Sequence, residues 1–132
     1  MASAYSKTPL AKKLGIKEDF KIILENQPAS YRNLFEQLPE GLEEIDAAEK
    51  ETGDFIHLFC TSEKELESGL IKLKPAMKKN AILWISWPKG GSGIPTSINR
   101  DFIREYVLDN GLVDTKVAVI DEIGVGLSLC TD

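Results

Sequence analysis

Ala81-Ile82-Leu83-Trp84-Ile85-Ser86-Trp87 is the stretch on which the fold turns. Only Ser86 in it is polar. An amphipathic helix would leave polar residues along one side. Near-continuous apolarity over so short a run instead describes a strand covered on both faces, as a central parallel strand is. Pro88 and the glycines at 90, 91 and 93 end it.

Upstream, residues 55–60 (Phe-Ile-His-Leu-Phe-Cys) have the same character, and residues 20–24 form a shorter apolar run with two β-branched members. Residues 42–45 make a weak further strand. Helical patterns separate these runs. Asn26 or Gln27 caps the first, Pro28 sits just inside it, and Tyr31, Leu34, Phe35 and Leu38 fall on one side. Ser62 and Glu65 have capping-box spacing ahead of Leu66, Leu70, Leu73 and Met77, with Pro75 expected to kink the last turn. Ser97 is expected to cap a helix with a stripe of Phe102, Ile103, Tyr106 and Val107, which Asn110-Gly111 stops. Pro9 to Leu14 form a short helical turn ended by Gly15, and residues 1–8 read as a flexible tail. Residues 46–54 read as a charged link. Strands at 113–120 and 125–130 are joined by a tight turn around Glu122 to Gly124, so one of that pair runs antiparallel.

Strand and helix therefore alternate. The expectation is a single three-layer Rossmann-like α/β domain over residues 1–132, its sheet mostly parallel with a C-terminal antiparallel strand. A chain of 132 residues can bury roughly two thirds of its unfolded surface, enough for one core without metals or disulfides. The net charge of −5 gives no basic stripe for nucleic acid. Cys60 and Cys130 end apolar runs and read as reduced buried thiols. No run approaches the ~20 apolar residues of a membrane span and the N-terminus lacks a signal-peptide core, so the expected location is cytoplasmic.

Strand, Gly-rich loop, helix, Asn110-Gly111-Leu112-Val113, strand, tight turn, strand: this ending resembles the C-terminal half of a class I methyltransferase fold. The resemblance implies a strand order of 2-1-3-4-6-5 with the sixth strand antiparallel. The beginning departs from that fold. After its first strand a methyltransferase presents glycines that admit the cofactor, whereas this chain has Glu25-Asn26-Gln27-Pro28 and no clear acid ending a long second strand. No cofactor is expected, and S-adenosylmethionine in particular should not bind. Thr8-Pro9-Leu10-Ala11-Lys12-Lys13-Leu14-Gly15-Ile16, His57-Leu58-Phe59, Trp84-Ile85-Ser86-Trp87-Pro88-Lys89 and Gly111-Leu112-Val113-Asp114 are similar to a family of small bacterial proteins of unknown function, the DUF3052 group. That resemblance implies no activity.

The loop after the strand at 81–87 is the best candidate site. It leaves a strand's carboxyl end, where open α/β sheets bind ligands. Gly90, Gly91 and Gly93 let successive amides turn toward an anion, Ser92 adds a hydroxyl, Lys89 adds a charge, and Trp87 is expected to wall the pocket. Walker spacing is absent, and the same composition also suits an ordinary turn. His57 lies with Phe55 and Phe59 on one strand face, and a satisfied core histidine is the simpler reading. Cys60 projects to the opposite face, so the two make no local metal or nucleophile pair, and no metal is expected. Thr61 and Ser62 share the rim, Ser62 being more simply a helix cap. Asp121 and Glu122 are an acidic pair with an ordinary role in a turn. Trp84 is assigned to the core. The function expected is a non-catalytic module that binds a small anionic metabolite or a protein partner. A small hydrolase or transferase with its site near Ser92, Ser62 and Asp121 is the alternative. An obligate subunit of a complex would instead show an exposed apolar patch.

Overall fold

The computed structural model describes residues 10–27, 31, 35, 38–46, 51–88, 97–119 and 124–131. Six strands form one sheet: β1 (Lys21–Glu25), β2 (Glu43–Ile45), β3 (Gly53–Phe59), β4 (Met77–Pro88), β5 (Leu112–Val119) and β6 (Gly124–Thr131). Their order is β2-β1-β3-β4-β6-β5, as the sequence implies. Pairings from β2 through β4 are parallel, and β6 runs antiparallel to both β4 and β5. Helices are α1 (Leu10–Leu14), α2 (Glu63–Leu73) and α3 (Arg100–Asp109).

Strict alternation along the strands divides the apolar residues between two layers. Ile23, Ile56, Leu58, Leu83, Ile85 and Trp87 face one way and pack with Leu66, Leu70 and Leu73 of α2 and Ile103 and Val107 of α3. Ile22, Phe55 and Trp84 face the other way, where Ala11 and Leu14 of α1 close over them with Ile16, Tyr31 and Phe35. Both layers hold fully buried residues, which is why β3 and β4 lack the polar face of a surface strand. The Trp84 indole also donates to the carbonyl of Leu14 at 2.8 Å, fastening the end of α1. Gly69 lets α2 approach closely, since a Cβ there would lie 2.6 Å from Leu58 Cδ1.

Several local expectations need correction. Pro75 does not kink a longer helix: α2 ends at Leu73, and Lys74–Ala76 tighten into a 3₁₀ turn with Pro75 in its first positions, where its missing N–H costs nothing. Met77 therefore leaves the helical stripe and opens β4, four residues before the expected start at Ala81. Pairing of β4 with β3 is irregular there. The register shifts between Gly53↔Met77 and Phe55↔Ile82, and Asn80 takes a left-handed φ of 71°. Asn99, not Ser97, caps α3, its side chain accepting the Phe102 N–H at 2.9 Å. Ser97 lies too far upstream, and its own N–H donates to Thr61 O. Asn26 has a left-handed φ of 58°, and the helix expected after it falls largely outside the described residues. Of its apolar stripe, Tyr31 and Phe35 are buried and Leu38 is half-buried.

Candidate functional site

Strand order fixes where to look. Connections lead from β1 outward to β2 and from β3 the other way to β4, so the chain reverses direction between β1 and β3. Open α/β sheets bind ligands in the crevice at the carboxyl ends of such strands. Here that edge is formed by Glu25 at the end of β1 and Asn26 after it, Cys60 to Ser62 after β3, and Trp87 and Pro88 at the end of β4. The antiparallel β6 begins at the same edge, with Gly124 opposite Pro88.

Among the described residues, the polar side chains of Glu25, Thr61 and Ser62 along it are bonded within the fold. The Glu25 carboxylate pairs with Lys72 Nζ of α2 at 2.9 Å. Ser62 caps α2 as expected, its hydroxyl accepting the Glu65 N–H at 3.2 Å. The return half of the capping box is shifted by one residue. Glu65 Oε1 accepts from Thr61 N–H at 2.7 Å and from Thr61 Oγ1 at 2.9 Å. Cys60 is buried, and burial together with the nearby Glu65 carboxylate pushes its thiol up to about 12. At neutral pH it carries almost no thiolate, the form a nucleophile requires.

Below the edge lies an arrangement that sequence reasoning missed. His57 Nε2 and Ser86 Oγ are 2.6 Å apart, and Nδ1 of the same ring is 3.1 Å from the Tyr31 hydroxyl. Both neutral tautomers satisfy this chain. Either Ser86 O–H donates to Nε2 while Nδ1–H donates to Tyr31, or both bonds reverse. Rings pack around it: Phe59 stacks on His57 at 4.3 Å, while Tyr31 and Phe55 meet His57 edge-on. Distances alone suit a nucleophile and its base. Burial excludes that role, because His57 is 0% and Ser86 1% exposed, leaving no approach for a substrate. Desolvation lowers the imidazole to about 3, far below a useful general base at neutral pH. His57 is thus the satisfied core histidine that the sequence favours.

Lys89, Gly90, Gly91, Ser92 and Gly93 lie outside the described residues, as do Asp121 and Glu122. The two ends of the loop are placed, however. It leaves β4 at Pro88, and the chain is described again at Ser97, whose N–H bonds Thr61 O at 2.9 Å beside the end of β3. Trp87 is 6% exposed and belongs to the core layer shared with α2 and α3. Trp84 is fully buried in the opposite layer, as expected. Asp46 follows β2 directly and is exposed, so an acid does stand at that edge, although β2 is three residues long. Among the described residues no group of three or more His, Cys, Asp or Glu could hold a metal ion, and no helix is long and apolar enough to cross a membrane.

Comparison with known structures identifies this architecture. A SAM-dependent methyltransferase from Aquifex aeolicus superposes with a TM-score of 0.63 at 16% identity, over 91% of this chain and 86% of that one. The fold is methyltransferase-like. A chain of the complex between the Haloferax volcanii Trm112 methyltransferase activator and a putative methyltransferase gives 0.65 at 8% identity, over 92% and 87%. A putative type 11 methyltransferase from Sulfolobus solfataricus gives 0.56 at 17% identity, over 85% and 84%. No protein-family model matches the sequence, and no curated protein matches it.

Proposed function

We propose that this methyltransferase-like domain is a non-catalytic binding module, a bacterial cytoplasmic relative of the DUF3052 group. It takes a small anionic metabolite at the carboxyl edge of the sheet. Lys89 supplies the charge, Ser92 a hydroxyl, and Gly90, Gly91 and Gly93 the amides that turn toward the anion. The observation that carries the reading is the occupation of the edge itself. Glu25, Thr61, Ser62 and Glu65 are each bonded to a neighbour within the fold, and Pro88 and Ser97, which flank the Gly-rich segment, lie at the same edge.

S-adenosylmethionine does not fit the residues that follow β1. Its backbone approach needs bare glycine, whereas Asn26 makes the left-handed turn with a side chain in place and the Glu25 carboxylate is committed to Lys72. No glycine occurs between Gly15 and Gly41. Calorimetry with S-adenosylmethionine at micromolar concentration is expected to give no heat of binding, and a stoichiometric micromolar constant would move an enzyme to first place.

A thermal-shift screen of phosphate-bearing metabolites tests the positive half. At least one should raise the melting temperature, increasingly with concentration, as mass action on the native state requires. Lys89→Ala should weaken that ligand about ten- to a hundredfold while moving apo stability by less than about 0.5 kcal/mol. A silent screen on folded protein would defeat the small-ligand reading. A protein partner is the second reading, favoured by the Haloferax assembly, in which a putative methyltransferase is held by an activator. Co-purification would then be the measurement.

A further inference from the structure

We propose that the buried Tyr31–His57–Ser86 chain helps set the register in which β3 pairs with β4 and ties Tyr31, which precedes β2 in the chain, to that register. Strands with one polar face choose their register easily, because a one-residue slip would turn every side chain to the wrong side. β3 and β4 lack this cue. Ile56 and Leu58 face one apolar layer and Phe55 the other, and on β4 Leu83 and Ile85 likewise oppose Trp84. Sliding the strands exchanges one buried apolar neighbour for another. His57 and Ser86 are the buried polar side chains among the described residues.

In the observed register His57 lies opposite Trp84 and Phe59 opposite Ser86, which places the imidazole diagonally beside the hydroxyl. A slip of two residues that sets His57 opposite Ile82 carries Ser86 roughly 7 Å further along, about twice the strand rise of one residue, and separates donor from acceptor, whereas the opposite slip would set the two groups level, so the pair forbids the first slip and not the second. Each would then stay buried without its present partner, which is costly in a low-dielectric interior. The second ring nitrogen extends the constraint, since Tyr31 meets it only where His57 stands level with the end of β1, paired as Leu24↔His57. Buried polar groups that select one arrangement among apolar alternatives have this property generally, often without adding net stability.

The test removes all three polar groups together. Tyr31→Phe/His57→Phe/Ser86→Ala leaves an apolar layer with no stranded donor. The variant is expected to unfold cooperatively, at a denaturant midpoint no lower than that of Ser86→Ala alone. It should give more than one set of amide resonances for residues 53–59 and 81–88, with hydrogen exchange there at least about tenfold faster. A single sharp set with native contacts between Ile56 and Leu83 and between Leu58 and Ile85 would overturn the proposal. Should the triple variant not fold, Ser86→Thr and Ser86→Val decide, because they add the same bulk and differ in the hydroxyl. Doubled resonances in the valine variant alone support the proposal, and one set in both refutes it. Failure of every variant to fold also refutes it, since the chain would then serve stability rather than choice of register.

Discussion

Acid should destabilise this protein in large part through one residue. His57 is the chain's single histidine, and burial holds its imidazole at about 3 against an ordinary 6.5. Between those values the unfolded chain binds a proton that the folded chain refuses, so falling pH favours unfolding. The contribution is whole above 6.5 and drains as pH falls toward 3. At about 1.36 kcal/mol per unit, roughly 3 kcal/mol is gone by about pH 4.5 and roughly 5 kcal/mol once the folded imidazole titrates. Those are large fractions of the stability of an ordinary domain. Urea melts at about pH 7.5 and about pH 4.5 measure the loss, and with a slope near 2 kcal/mol/M the midpoint should fall by about 1.5 M. His57→Phe supplies the control. At neutral pH its stability is lower because Ser86 and Tyr31 lose a partner, but its dependence on pH over this interval should be flatter by about 1.36 kcal/mol per unit. In the native protein the two C–H resonances of the single imidazole should not move between about pH 8 and pH 4.5. An imidazole that titrates above about pH 5 in folded protein, or equal slopes in the two proteins, would refute the burial argument.

Trp84→Phe deletes the donor to Leu14 O and part of a fully buried ring, and should cost about 1–3 kcal/mol; amides of Gly15 and Ile16, bonded to Ala11 O, should exchange faster, and unchanged exchange would mean that the indole does not fasten α1. Gly69→Ala gains helix propensity worth up to ~1 kcal/mol but forces a Cβ against Leu58, so a net loss of about 1–2 kcal/mol in a denaturant melt is expected, and a gain would show that α2 can back away. Raising the Cys60 thiol from 9.0 to about 12 cuts its thiolate about a thousandfold at neutral pH. In a Cys130→Ser background a thiol reagent should therefore label native protein about a thousandfold more slowly than denatured protein, and comparable rates would show that Cys60 is open to solvent.

The sheet was legible because its signal is physical and local. Apolar runs too short for helices, separated by capped helical stripes, allow little besides a layered α/β sheet, and the tight turn before residue 125 demands an antiparallel partner. Boundaries failed where one residue type serves two states. Met77 continues a helical spacing and also begins a strand, and Pro75 suits a 3₁₀ start as well as a kink. Ser97 and Asn99 are both good caps, and only the hydrogen bond from Ser97 N–H to Thr61 decides between them. The buried polar chain was half legible. His57 and Ser86 are isolated polar residues in strands covered on both sides, which demands a partner for each. What sequence did not supply is their register, which makes them partners of each other, or the return of Tyr31 onto the sheet from before β2.

That inward use of polar groups bears directly on function. Catalysis on a methyltransferase-like sheet requires groups at the carboxyl edge that are free to meet a substrate and poised to transfer a proton or a bond. Among the described residues the imidazole is enclosed beneath that edge and is too weak a base, the Cys60 thiol keeps its proton at neutral pH, and Ser62 and Thr61 serve the start of α2. Among the described residues, groups spent in this way hold the edge together rather than face a substrate. Such an edge is still useful, since binding improves when the groups flanking a loop need no reordering. β4, long and largely buried, ends at Pro88, and Ser97 is bonded to Thr61 at the end of β3, so the residues on either side of the proposed loop are fastened to the sheet. The anion proposed for the amides and one lysine between two such anchors would need no acid, base or nucleophile. This is why Lys89→Ala is expected to change affinity while leaving the melting of the free protein nearly untouched.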